Sequence, residues 1–95
     1  MPSVGVITLE LRLDESHSLK DKRQVVKSLK DRLRGKFNVA VSEIDYHDLW
    51  QRGLIAAVTV SPDQARAEEV LQNVEREASS QLGPILVGAT TEWLT

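Results

Sequence analysis

The residues best equipped for chemistry gather in SEIDYHDLWQR, Ser42 to Arg52. Glu43, Asp45, His47 and Asp48 put three carboxylates and one imidazole within a few positions of each other. Such oxygens and ring nitrogens can ligate a metal. A histidine titrating near neutrality beside an orienting carboxylate can also act as a general acid or base. The spacing matches no established metal motif. On a regular strand Glu43 and Asp45 share one face and Ile44 takes the other. No nucleophile elbow or oxyanion site accompanies the cluster, so a small hydrolase or metal-dependent enzyme around His47 is the remote reading. We expect no catalytic residue, no metal and no cofactor. Glu43, Asp45, Tyr46, His47, Trp50 and Arg52 remain as secondary interaction candidates. Trp50 is expected to anchor its polar connection against the domain. Exposed instead, beside Arg52, it would offer a protein or base contact.

A second concentration of chemistry is basic. Between His17 and Phe37 lie eight Lys or Arg and only Asp21 and Asp31, a net charge of +6. The whole chain carries -2, which leaves -8 elsewhere. On a helix, Lys20, Arg23, Lys27, Lys30 and Arg34 fall within an arc of roughly 80°, a ridge about 20 Å long. Lys20, Lys22, Arg23, Lys27, Lys30 and Arg34 are therefore the candidates for contact with a phosphate backbone, where each contact adds a salt-dependent affinity. The plain alternatives are a solvated helix face and docking to an acidic protein patch. The preceding loop, Asp14 to Ser18, holds two acids and no glycine, so it makes a poor phosphate nest. The helix start beyond Ser18 could still meet one phosphate. His17 reads as a loop or capping-region residue.

The elements that position these groups follow from periodicity. Val4 to Leu13 alternates, with Ile7, Leu9, Leu11 and Leu13 on one face. Ser18 with Asp21 makes a capping box for a helix whose buried stripe is Leu19, Val25, Val26, Leu29 and Leu33, ended by Gly35. Phe37 to Ile44 reads as a second strand and Leu54 to Val60, apolar on both faces, as an interior one. Ser61 then caps a helix with Pro62 at its first position, and Ala67, Val70, Leu71, Val74 and Ala78 line its buried side. Gly83-Pro84 stops it, and Ile85 to Leu94 returns to strand. The order β-α-β-β-α-β predicts an α+β, ferredoxin-like sandwich: a four-stranded antiparallel sheet with two helices on one face and its first and third strands central. Val4, Val6, Ala40, Ile55, Ala57, Leu86 and Leu94 suggest that the second sheet face is partly apolar, a surface for a homodimer or another partner.

Composition excludes more than it selects. Ninety-five residues give one domain, 1–95, and no cysteine rules out a disulfide scaffold, a thiol nucleophile and Cys-ligated metals. No secretory leader or membrane span is read, and no membrane partner is expected. The four aromatics, Phe37, Tyr46, Trp50 and Trp93, form no stacking platform of the kind that single-strand RNA modules of this topology use, and no RNP-like motif occurs. Phe37 and Trp93 read as core or interface.

SLKDKR at Ser18 to Arg23, RLRGKFNV at Arg32 to Val39 and the SEID–W–R pattern from Ser42 to Arg52 closely resemble the small bacterial domain-of-unknown-function family 503, the YlxP-like family. The similarity runs nearly the full chain. The resemblance implies a ferredoxin-like cytoplasmic protein with no accepted activity or cofactor. It also implies genes placed near those for translation initiation and ribosome maturation, hence a ribosome- or RNA-associated accessory protein as the first expectation. Within the matching pattern, Glu43 or Asp45 is expected to face Lys22 or Arg23 across a helix–strand gap.

Overall fold

A computed structural model describes residues 1–95. The elements run β1 (Ser3–Arg12), α1 (Leu19–Lys36), β2 (Ala40–Asp45), β3 (Arg52–Ser61), α2 (Gln64–Leu82), a 3-10 turn (Gly83–Ile85) and β4 (Leu86–Trp93). The sheet order is β2-β3-β1-β4 and every neighbouring pair is antiparallel. This is the ferredoxin-like sandwich, with β1 and β3 central.

The alternation of β1 sends Ile7, Leu9 and Leu11 into the core, where Val26, Leu29 and Leu33 of α1 and Leu71, Val74, Ala78 and Leu82 of α2 meet them. Gly5 lies on the same face because nothing larger fits. A Cβ there would come within 2.6 Å of the Trp93 ring and 2.9 Å of Leu71. Trp93 thus lies across the first strand and ties the end of β4 to it. Phe37 and Trp93 are both partly buried against the core.

Four local expectations change. Helix α1 runs through Gly35 to Lys36, and Phe37 is its C-cap, donating its N–H to the Leu33 carbonyl. The second strand therefore starts at Ala40 and not at Phe37. Asp63, not Ser61, caps α2, its carboxylate accepting from the Arg66 N–H at 2.9 Å. Ser18 does accept the Asp21 N–H, but Asp21 reaches back to the His17 N–H. Finally, the pairings Leu9 with Ile55 and Ile7 with Ala57 put Ile55 and Ala57 in the core. Leu86 likewise packs against the core rather than on the second face. In β3, Leu54, Ala56, Val58 and Val60 are the residues that face the other way.

The helices are tied to each other at Glu77, whose carboxylate accepts from Arg32 at 2.8 Å and Lys36 at 3.0 Å. The hydrogen bond from Lys36, then that from Arg32, holds this carboxyl below its ordinary value of 4.5. A lowered folded-state value contributes stability above the unfolded value and loses it as pH falls through the folded one. Glu77→Gln is expected to melt below wild type at pH 7, and the two melting curves should converge as pH drops below 4.5. A gap that stays constant down to acid pH would refute the linkage.

Candidate interaction surfaces

Lys22 departs most from what its type suggests. It sits four residues before Val26, on the buried stripe of α1, and its side chain has 0% exposure. Its ammonium donates to the carbonyls of Tyr46 (2.6 Å), Arg52 (3.1 Å) and His47 (3.4 Å), and it faces Glu43 Oε2 at 3.0 Å. That carboxylate oxygen is buried and makes no directional hydrogen bond; its compensation is the charge of Lys22. The expected pairing of Glu43 with Lys22 is present. Lys22 is corrected as a phosphate-binding candidate, since its amine is spent inside the fold.

The same ammonium organises the β2–β3 connection. Between Glu43 and Asp45 the pairing with β3 shifts, so that Glu43 is opposite Ile55 and Asp45 opposite Leu54. This bulge at Ile44 separates the two carboxylates that a regular strand would have placed together. Glu43 turns to Lys22, while Asp45 accepts the Tyr46 N–H at 2.7 Å. Tyr46 takes a left-handed backbone, φ 63°, uncommon for a bulky residue. Its carbonyl is held by Lys22 and by the Leu49 N–H. Arg52 lies 4.1 Å over the Tyr46 ring and donates to the Tyr46 hydroxyl and Glu10 Oε1, both at 3.1 Å. His47 is exposed, its Nε2 3.1 Å from the Glu43 carbonyl. Glu43 and Asp45 turn to other partners, and no three His, Asp or Glu converge.

Trp50 does not anchor the connection: it is 51% exposed. The anchoring is polar, through Lys22 and through Gln51, whose carbonyl accepts the Leu13 N–H and whose amide reaches the Asp14 and Ser16 carbonyls. Leu49, the chain neighbour of Trp50, and Ile44, near the end of β2, are exposed as well.

The cations of α1 divide by partner. Lys27 donates to Asp31 at 2.6 Å, the bond that first holds that carboxyl below its ordinary value. Arg34 donates to the Val41 carbonyl at 3.0 Å. Lys20 and Arg23 are exposed, Lys30 is half-buried, and none of the three makes an ion pair. The ridge therefore has three unpaired positive charges. The loop before α1 borders a cleft of about 450 Å³ whose lining includes Arg12 at the end of β1, three carboxylates (Asp14, Glu15 and Asp21), Val25 and Ile85. Its carboxylates suit it poorly to anions.

The remaining surface is the face of the sheet opposite the helices. By strand parity it carries Val4, Val6, Thr8, Glu10 and Arg12 of β1, Leu54, Ala56, Val58 and Val60 of β3, and Thr90 and Glu92 of β4. No element covers it; Val60 is 55% exposed. No helix is long and apolar enough to cross a membrane.

Comparison with known proteins adds three likenesses and a family. Residues 4–89 match the family described as "Protein of unknown function (DUF503)". The "Uncharacterized protein YlxP" of Bacillus subtilis (strain 168) is 39% identical over 71 residues, 75% of this chain and 77% of that one. Among solved structures, the de novo designed protein Foldit4 superposes with a TM-score of 0.60 at 12% identity, over 100% of this chain and 98% of that one. A dimeric ferredoxin-like protein of unknown function from Thermobifida fusca superposes with a TM-score of 0.51 at 15% identity, over 97% and 91%. At such identities the structural likenesses speak for the fold alone.

Proposed function

The chain belongs to the DUF503 family of proteins of unknown function, and on that premise we propose that it works without catalysis, in the cytoplasm, as an interaction module whose open sheet face pairs with a second copy of itself. The observation that carries this reading is the uncovered apolar stripe. Four consecutive outward positions of the central strand β3 are Leu54, Ala56, Val58 and Val60, and beside them lie Val4 and Val6. Val60 is exposed and the other five are half-buried, and uncovered apolar surface of this continuity is characteristic of interfaces. Four strands about 4.8 Å apart, up to ten residues long at about 3.4 Å each, present about 600 Å² in projection. That approaches the roughly 800 Å² per partner of a standard interface. The Thermobifida fusca protein is described as dimeric. That is a property of that protein, and it supports the reading only as an instance of this fold self-associating. Sedimentation velocity across a concentration series tests the proposal. A species of twice 10.6 kDa is expected; a chain that stays monomeric up to about 1 mM, the weak end of the affinity scale, would overturn it.

One observation favours a second role on the opposite side of the molecule. Lys20, Arg23 and Lys30 of α1 are unpaired, and α1 lies on the helix layer, away from the open face. They suit the backbone of structured RNA or a ribosomal subunit. Binding should weaken steeply with salt, by up to about 0.9 log units per log unit of salt for each phosphate contacted. Neutralising Lys20, Arg23, Lys27 and Lys30 to glutamine should flatten that slope by about two to four units. Equal binding by the folded variant, or none by wild type even at low salt, would remove this reading.

A further inference from the structure

Resting on the proposed pairing of open faces, we infer that its orientation is fixed by two charges, Arg12 of one copy meeting Glu92 of the other. Most charged groups on this face are already satisfied. Arg52 is committed to Glu10 and Tyr46, and Asp45 to the Tyr46 N–H. Arg12 and Glu92 are both exposed, and their side chains make neither a hydrogen bond nor an ion pair within the chain. They sit towards opposite ends of the face. Arg12 pairs across the ladder with Arg52, and Glu92 lies beside Val6. Six residues of β1 therefore separate their levels, about 20 Å at 3.4 Å per residue.

Sheets that pack face to face keep their strands roughly aligned, which leaves two kinds of in-plane two-fold axis. An axis parallel to the strands keeps like ends together and lays Arg12 over Arg52 of the second copy. An axis across the strands, passing near Thr8 and Leu9, reverses the strand direction. It brings Arg12 to the level of Glu92 of the second copy, one strand over. Sheets stack about 10 Å apart, a gap that an arginine and a glutamate span together. The contact is isologous, so it forms twice. The apolar stripe supplies the adhesion and these charges select one of the two registers.

The test is a charge swap read by sedimentation equilibrium at low salt, with circular dichroism to show that each variant is folded. Arg12→Glu and Glu92→Arg should each weaken self-association about 10-fold or more, because each creates two repulsive contacts. Mixing the two single variants should restore a dimer. The new carboxylate at position 12 of one copy then faces the new guanidinium at position 92 of the other, while the native Arg12 and Glu92 still meet. Dimers that survive both single substitutions unchanged would overturn the orientation and leave the pairing standing. Weakened singles that the mixture fails to rescue would overturn it equally. A wild-type chain that is monomeric throughout would instead remove the pairing itself.

Discussion

Lys22→Met is expected to lower the melting temperature by about 15–30 °C. Methionine reproduces the length and much of the volume of the lysine stem, so little cavity is made. What is lost is the ammonium, and with it the donor to the carbonyls of Tyr46, Arg52 and His47 and the counter-charge of Glu43. Removing one member of a buried pair costs about 3–5 kcal/mol, because the other charge stays behind uncompensated. Small domains are stable by about 5–15 kcal/mol in all, and each kcal/mol shifts the midpoint of a chain this size by about 4–8 °C. Lys22→Met with Glu43→Gln should recover part of the loss. The carboxylate is then neutral, but the three carbonyls still lack their donor. Thermal melts of the single and double variants decide the matter. A fall of under about 5 °C for the single variant would mean that the lysine only occupies space.

Val58→Lys should dissociate the self-associated form by more than about 100-fold while leaving the fold intact. Val58 is half-buried on the open face, opposite Val6 on one side and Ala40 on the other. In the separate chain a lysine there can lift its amine into water along its flexible stem. Against a second sheet it cannot. Burying an unpaired charge costs several kcal/mol, and symmetry introduces the substitution twice. A loss of 100-fold needs only about 2.8 kcal/mol. Sedimentation and a melting curve are read together: a shift to monomer with an unchanged midpoint is the expected pair of results. Unaltered association would remove the open face from the interface.

The first strand is legible in the sequence because from Ile7 onward only one of its faces is apolar. Ile7, Leu9 and Leu11 alternate with Thr8, Glu10 and Arg12, so its phase follows from the residues alone. β3 lacks that contrast. With Leu54 to Val60 apolar at every position but Thr59, periodicity marks a strand and gives it no phase. The ladder with β1 assigns Ile55 and Ala57 to the core. Gly35 shows the limit of capping rules. A glycine can end a helix, but beyond it Phe37 packs against the core and donates its N–H back to the Leu33 carbonyl, and the backbone stays helical to Lys36. Lys22 counts among the cations by type, although its helical spacing to Val26, Leu29 and Leu33 places it on the apolar stripe. That spacing, with Glu43 expected opposite, is the available signal. The bulge at Ile44 and the left-handed Tyr46 depend on Lys22 gathering carbonyls from distant residues, and no local pattern announces that. Arg12 and Glu92 stand out only once the ladder has put them on one face.

The burial of Lys22 also makes this chain a reporter on itself. Of its five lysines, Lys22 alone has no solvent-exposed side chain surface on which an acylating reagent could act. Its amine is chemically silent as long as the corner where α1 meets the β2–β3 connection stays shut. Acylation at that position therefore requires an opening event, while Lys20 and Lys27 react from the closed state. The ratio of modification at Lys22 to that at its neighbours measures how often the corner opens. Because an acylated amine loses its charge and cannot return to its four oxygens, each opening caught in this way is recorded permanently.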